Sequence, residues 1–255
     1  FEQFMHWALY TPGLGYYASA REIFGALPTS GSDFVTAPEM SPLFGRALAA
    51  QVAEGLELSG ADEVFEFGAG SGALADTLLH ALGDRVRCYT IVEVSGPIQE
   101  RQRQRLAPWS DRVAWAQRLP ERMRGVVVGN EVLDAMPARL LAYDGAQWKE
   151  RGVTLHEGQL TFADVPTALS PPTAGPWVPG TVTEVHPQAQ AFVTTLAEHL
   201  QRGLVLLIDY GFPEAEYYHP QRTGGTLMCH RAHQADGNPL EDVGSKDITV
   251  HVDFT

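Results

Sequence analysis

The chain of 255 residues is long enough to bury one sizeable core, and its 44% hydrophobic and 19% charged residues are typical of a globular protein. A formal net charge of −13 argues against a nucleic-acid partner, which would need a clustered basic surface, and is compatible both with a cationic protein substrate and with simple solubility. No apolar run approaches the roughly 18 residues of a membrane span, and two cysteines, Cys88 and Cys229, are too few for a disulfide framework, so we expect no membrane insertion and a reducing compartment.

The first part of the chain is rich in aromatic residues and glycine, and a short helix is expected at its start. From Pro42 to Leu58 the apolar residues fall on one face of a helix, namely Leu43, Phe44, Ala47, Leu48, Val52 and Leu56. Residues 1–60 are therefore interpreted as an N-terminal helical and aromatic segment. We expect this segment to cover the functional site, which is formed by the rest of the chain.

Short apolar runs then alternate with amphipathic stretches. The amphipathic stretches are Ala73–Leu82 and Ile98–Leu106; the apolar runs are Val64–Phe67, Tyr89–Val94, Val113–Ala116, Val126–Val128 and Leu204–Ile208, with a last alternating run at Ile248–Phe254. Runs of this kind with helices between them predict a parallel sheet that is covered by helices on both faces. The predicted fold class is α/β, with a Rossmann-like sheet built from residues 61–138 and 188–255.

The alternation is interrupted over residues 139–187, which we interpret as a β-rich and loop insertion within the same domain. The turn sequences Asp144-Gly145 and Glu157-Gly158 are flanked by alternating residues, which predicts two hairpins. The segment Ser170–Gly180 has the prolines and glycines of a loop. Beyond the insertion, a helix is predicted over residues 188–202.

The strongest local signal is a strand that leads through three alternate glycines, Gly68, Gly70 and Gly72, directly into a helix. Glycine backbone can approach a ligand closely, and a helix N-terminus presents free N–H groups to the same place. This pattern also fits a dinucleotide-binding turn. Glu66, just before the turn, favours S-adenosylmethionine (SAM), because a carboxylate there can bind an ammonium group and would repel a pyrophosphate.

Two further loops are expected at the same edge of the sheet, because the carboxyl ends of parallel strands line one crevice. Glu93 ends the second strand, where a carboxylate can accept both hydroxyl groups of a ribose, whether of SAM or of NAD. The loop after the fourth strand carries Asn130, Glu131 and Asp134. Asn130 and Glu131 can orient an amine or a guanidinium, whereas Asp134 could equally cap a helix.

With these residues, the chain resembles the MidA family of class I SAM-dependent methyltransferases, which includes mitochondrial assembly factors of respiratory complex I. The segments that carry the resemblance are Gly15-Tyr16-Tyr17 and residues 33–39, 66–72, 92–95, 130–137, 208–211 and 247–254. Residues 33–39, 130–137 and 208–211 are its most particular parts. Ser32 departs from the family, which has a glycine there, and the family continues past the last motif, so we expect the end of the sheet to be missing from this chain.

The resemblance implies SAM as cofactor and an arginine of a protein as methyl acceptor, with a subunit of respiratory complex I as a candidate partner. A guanidinium keeps its proton near neutral pH, so carboxylates that orient it and accept a proton during attack are the expected equipment. The predicted catalytic residues are Glu131 first and Glu39 second, with Asn130 and Asp209. The predicted cofactor-binding residues are Glu66, Gly68, Gly70, Gly72, Glu93 and Asn130.

Other functions stay open from the sequence. A non-catalytic, SAM-binding assembly chaperone would keep the same fold, and an NAD-dependent oxidoreductase would share the glycine turn and Glu93. A metal enzyme is suggested only by the histidines at positions 219, 230, 233 and 251, and no metal site is expected. The expected compartment is the cytoplasm for a bacterial protein and the mitochondrial matrix for a eukaryotic one; the oligomeric state is open.

Overall fold

The structure is a computed structural model that describes residues 1–18, 36–231 and 233–255. Its helices are α1 (Glu2–Tyr10), α2 (Ala37–Met40), α3 (Pro42–Ser59), α4 (Ala73–Leu82), α5 (Gly96–Arg105), α6 (Pro187–His199) and α7 (Glu214–Tyr217). Its first nine strands are β1 (Glu63–Phe67), β2 (Cys88–Val92), β3 (Val113–Ala116), β4 (Met123–Asn130), β5 (Arg139–Tyr143), β6 (Trp148–His156), β7 (Gln159–Pro166), β8 (Val182–Val185) and β9 (Leu200–Ile208). The last five are β10 (Gly211–Phe212), β11 (Met228–Arg231), β12 (Gln234–Asp236), β13 (Asp247–Thr249) and β14 (Val252–Asp253).

The chain divides into two compact units. The first consists of Phe1–Ser19, Leu133–Phe192 and Asp209–Thr255, and the second of Ala20–Val132 and Val193–Ile208. None of the described helices is long and apolar enough to cross a membrane.

The second unit is built on a five-stranded sheet in the order β3-β2-β1-β4-β9, and every pairing in it is parallel. Val64 and Val126 face one side of the sheet and pack with the apolar residues of α3 and α4. Phe65 and Val127 face the other side and are buried as well. The predicted α/β class with a central parallel sheet is confirmed.

The first unit is rich in antiparallel sheet. Strands β5 to β8 form one sheet in the order β7-β6-β5-β8, and the two predicted hairpins are its β5–β6 and β6–β7 connections. In the first hairpin the carboxylate of Asp144 accepts the N–H groups of Ala146 and Gln147, each at 2.9 Å, which fixes the turn.

The predicted domain ranges stay a prediction; the first compact unit groups Phe1–Ser19 and Asp209–Thr255 with Leu133–Phe192. Two predicted elements have other bounds in the structure. The predicted helix over residues 188–202 ends at His199, because β9 starts at Leu200 in order to pair with β4. The run Ile248–Phe254 is two short strands: β13 pairs with β11, and β14 pairs with β10.

Gly125, on β4, tests the packing of the central sheet, because the backbone of β1 approaches it closely. A Cβ atom there would lie 1.9 Å from the carbonyl oxygen of Glu63, which is backbone and cannot move aside. Gly125→Ala is therefore expected to lower the free energy of unfolding by about 3 kcal/mol, in the upper range for overpacking, measured by urea denaturation. Gly237→Ala is the control, because a Cβ there meets nothing within 4 Å; equal effects of the two changes would contradict this packing.

Candidate functional site

The glycine turn follows β1 at the point where the strand order of the sheet reverses. Gly68, Gly70 and Gly72 have φ values of +64°, +52° and +83°, a left-handed region that side chains other than glycine rarely adopt. A Cβ on Gly68 would also lie 2.8 Å from Cγ2 of Val132. Helix α4 starts from Gly72 with no side-chain cap, so its first N–H groups point towards the turn.

Glu66 lies beneath this turn with only 2% of its surface exposed. Its Oε2 atom accepts the hydroxyl of Tyr89, the buried residue on the neighbouring strand, at 2.7 Å. Burial raises the pKa of Glu66 to about 7, although the bond from Tyr89 lowers it in part. Near neutral pH the carboxyl group is therefore poised between its two protonation states, and a nearby cation would ionise it.

Glu93 follows β2, directly after the residue that pairs with Phe67 at the end of β1. The sequence predicted that Glu93 ends this strand. In the structure β2 ends at Val92, and Glu93 lies one residue beyond it. Its Oε1 atom accepts the N–H of Ser95 at 2.8 Å, which holds the carboxylate at the strand tip. Burial raises the pKa of Glu93, and the N–H groups of Ser95 and Val94 counteract part of the rise.

The predicted catalytic residue Glu39 belongs to α2, and its carboxylate contacts the glycine turn. Its Oε1 atom accepts the hydroxyl of Ser71 and forms an ion pair with Nη1 of Arg105 at 3.3 Å. Arg105 also donates to the Ser71 hydroxyl. Glu39 therefore already holds a guanidinium. Asp33–Val35, which precede it in the same motif, lie outside the described residues.

Asn130 is the last residue of β4, not part of the loop as predicted, and Glu131 follows it; β4 pairs with β1 on the side opposite β2. Asn130 donates from Nδ2 to Oε1 of Glu131 at 3.1 Å. Glu131 has a φ of +53°, although it is not glycine, and its N–H donates to the carbonyl of Ile208 at 2.9 Å. A strained backbone of this kind costs of order 1 kcal/mol and persists where the surroundings enforce it, often at functional sites.

Asp209 and Asp134 belong to the other compact unit. Oδ2 of Asp209 accepts the N–H groups of Leu133 and Asp134, and its Oδ1 accepts that of Tyr210. These contacts favour a positioning role for Asp209. No helix begins at Asp134, whose carbonyl instead accepts the N–H of Val250 at 2.9 Å, so the alternative role as a helix cap was wrong.

The tips of β1, β2 and β4 thus bring together the glycine turn, Glu66, Glu93, Asn130 and Glu131 at one edge of one sheet. This donor set fits an adenosyl amino acid: acceptors for an ammonium and a diol, and helix N–H groups for a carboxylate. A pyrophosphate does not fit here, because the turn has one acidic side chain beneath it, Glu66, and another in contact with it, Glu39. Sequence reasoning missed Tyr89, Ser71 and Arg105. Only strand register could have indicated Tyr89, which lies on the same face of the sheet as Glu66.

The histidines do not assemble a metal centre in the described part of the chain, where no three His, Cys, Asp or Glu side chains converge as a metal site would need. His251 packs on the ring of Phe212, with 5.2 Å between ring centroids. His219 donates its N–H to the carbonyl of Glu216 at 3.4 Å.

Comparison with known proteins points to one chemistry. The model of a family of S-adenosyl-L-methionine-dependent methyltransferases matches residues 47–255. A crystal structure of a Burkholderia thailandensis protein bound to S-adenosyl-homocysteine (SAH) has 49% identity and a TM-score of 0.95, and the match covers all of this chain and 69% of that one. That bound ligand, like the acidic turn, favours SAM over a dinucleotide.

Curated relatives are more distant. Proteins of Caenorhabditis elegans and Drosophila melanogaster, each named mitochondrial protein arginine methyltransferase NDUFAF7 homolog, are 26% identical over 99% of this chain. The match covers 66% and 64% of their lengths, so the chain spans just under two thirds of these relatives.

The raised pKa of Glu66 predicts a pH-dependent stability. Between about pH 4.5, the ordinary pKa, and about pH 7, the folded protein keeps a proton that the unfolded chain releases, so stability falls as the pH rises through this window and stays lower above it. Glu66→Gln keeps an acceptor for Tyr89 and has no charge to bury. The free energy of unfolding of Glu66→Gln minus that of the unchanged protein should therefore increase by about 2 kcal/mol between pH 5 and pH 8.

Urea denaturation of the ligand-free protein at the two pH values measures this difference. Glu57→Gln, at an exposed position of α3, is the control and should shift stability equally at both. A Glu66→Gln gain that does not depend on pH would show that Glu66 is ionised at little cost in the folded protein.

Proposed function

The chain belongs to the family of S-adenosyl-L-methionine-dependent methyltransferases, and we propose that it transfers the methyl group of SAM to an arginine side chain of a protein. The names of the curated relatives support arginine as the acceptor. The observation that carries the proposal is the Asn130–Glu131 pair, a carboxylate held by a strained backbone at the strand tip beside the glycine turn.

We assign the cofactor to the edge of the sheet formed by β1, β2 and β4. Glu93 would accept the ribose hydroxyls, and the N–H groups at the start of α4 would face the carboxylate of the amino-acid part. Glu66 is too deeply buried to reach far, so it would act on the ammonium group as a charge beneath the turn. Asn130 would add a polar contact between cofactor and acceptor.

Glu131 would orient the acceptor. A planar guanidinium binds a carboxylate through two parallel hydrogen bonds, which fixes the direction of its nitrogen. SAM supplies a methyl group on a positively charged sulfur. The guanidinium nitrogen forms a bond to the methyl carbon as the bond from that carbon to sulfur breaks, and the nitrogen then loses a proton, for which Glu131 is the acceptor.

The other predicted catalytic residues would act differently. Because Glu39 is already paired with Arg105, we rank it second as a catalytic candidate. Its proposed role is to hold α2 against the glycine turn. Asp209 would position the segment that follows Glu131, through its bonds to the N–H groups of Leu133 and Asp134.

The protein partner is proposed on the resemblance alone. A subunit of respiratory complex I is the candidate, in the mitochondrial matrix for a eukaryotic protein or the cytoplasm for a bacterial one. The curated relatives named above are mitochondrial, which supports the matrix if the protein is eukaryotic.

Ligand binding and product analysis test the reaction class. SAH is expected to raise the melting temperature and NAD to leave it unchanged, since only a ligand of the folded state stabilises it. With methyl-labelled SAM and an extract of cells that lack the gene, hydrolysed protein should contain labelled methylarginine. SAH binding without any labelled product would instead favour a SAM-binding assembly chaperone, and label on another residue type would overturn the arginine assignment.

Glu131→Gln tests the clamp. Gln keeps the acceptor for Asn130 but cannot take a proton, so arginine methylation is expected to fall at least 100-fold, the usual contribution of a general base, while SAH affinity stays within about threefold, less than 1 kcal/mol. Glu157→Gln is the matched control, because Glu157 also has a positive φ but lies at an exposed hairpin turn. A Glu131→Gln protein with normal methylation would remove Glu131 from the reaction.

A further inference from the structure

Helix α5 is unusual because glutamines form much of its buried side. The buried residues of this helix are Ile98, Gln99 and Gln102. A buried side-chain amide costs free energy unless both of its ends are hydrogen-bonded. The partners of these two glutamines therefore indicate why they are there.

Gln102 links β3 to the glycine turn. Its Nε2 atom donates to the carbonyl of Gly70 at 2.9 Å, and its Oε1 atom accepts the indole N–H of Trp115 at 2.9 Å. An indole N–H can only donate and a carbonyl can only accept, so the two partners fix the orientation of the amide. The guanidinium of Arg103 lies 4.1 Å from the centre of the Trp115 ring and holds it in place.

Gln99, one turn earlier on the same helix, holds the other half of the site. Its Nε2 atom donates to the carbonyl of Glu93 at 2.7 Å. Helix α5 thus makes a side-chain hydrogen bond to the backbone of the glycine turn and another to the backbone of the residue at the tip of β2. Both bonds go to carbonyl groups of residues that lie outside the described strands.

We propose that Gln102 and Gln99 are positioning residues that set the separation between the glycine turn and Glu93. This proposal rests on the cofactor site described above, since one adenosyl ligand must contact both elements at once. A small displacement of Gly70 relative to Glu93 would leave the glycine turn and the tip of β2 each intact. It would lower the affinity for a ligand that must contact both at once. Neither glutamine needs to touch the cofactor.

Gln102→Met has nearly the shape of the original side chain and removes the link to Gly70 and Trp115. SAH affinity, measured by calorimetry on folded protein, is expected to fall about tenfold. Gln104→Met is the matched control, the same change at an exposed position of α5, and should bind as the unchanged protein does. Val113→Ala, a buried change on β3, controls for lost stability and should keep the affinity within twofold.

Gln102→Glu adds a readout that a purely structural role would not give. A carboxylate would repel the carbonyl of Gly70, whereas a carboxylic acid can donate to it and still accept from Trp115. Burial favours the neutral acid. The affinity of Gln102→Glu for SAH, divided by that of the unchanged protein at the same pH, should therefore be low at pH 8.5 and recover to within about threefold at pH 6.

Normal SAH binding by Gln102→Met, or a Gln102→Glu ratio that does not change with pH, would overturn the positioning role and leave the cofactor site standing. Failure of the unchanged protein to bind SAH would overturn the proposed function itself, and this inference with it. If Gln102→Met does not fold, Trp115→Phe tests the same chain of bonds, with an expected loss of about threefold; unchanged binding there would also count against the role.

Discussion

Parallel pairing of β1 with β2 on one side and β4 on the other is the constraint from which the site follows. Phe67 is opposite Val92 in one ladder and Gly129 in the other, so the next residues along all three strands emerge side by side. Because β1 is where the order of the strands reverses, the loops from its two neighbours diverge and leave a crevice above the glycine turn. Every proposed cofactor contact lies on these three tips.

The same edge of the sheet carries features that reduce stability. Glu66 is a carboxyl group under the turn whose pKa is raised to about 7 by burial, and Glu131 has a left-handed backbone that glycine would adopt more easily. Gln102 fills a core position with an amide that two bonds must satisfy. A fold selected for stability alone would place apolar side chains or glycine at these positions. Their concentration around one crevice is what distinguishes a binding site from an ordinary strand edge.

Local patterns were sufficient for the parts of the structure that depend on neighbours in sequence. The glycine turn, the start of α4 and both hairpins of the first unit could be read directly, since each is specified by a few consecutive residues. The partners of the site residues could not. Tyr89 reaches Glu66 through strand register, and Gln102 reaches Gly70 through the packing of α5, so both depend on contacts between distant segments. The prediction of a single strand over Ile248–Phe254 was wrong for the same reason, because the two halves of this run pair with different strands.

The predicted catalytic carboxylates bind different groups in the structure, and this separates their roles. Asp209 accepts three backbone N–H groups, which suits a residue that shapes a loop. Glu39 is bound to a permanent cation, Arg105. Glu131 accepts the side-chain amide of Asn130, which directs its carboxylate at the tip of β4. Because an ion pair with Arg105 already engages Glu39, we propose Glu131 ahead of it as the residue that orients the substrate guanidinium and accepts its proton.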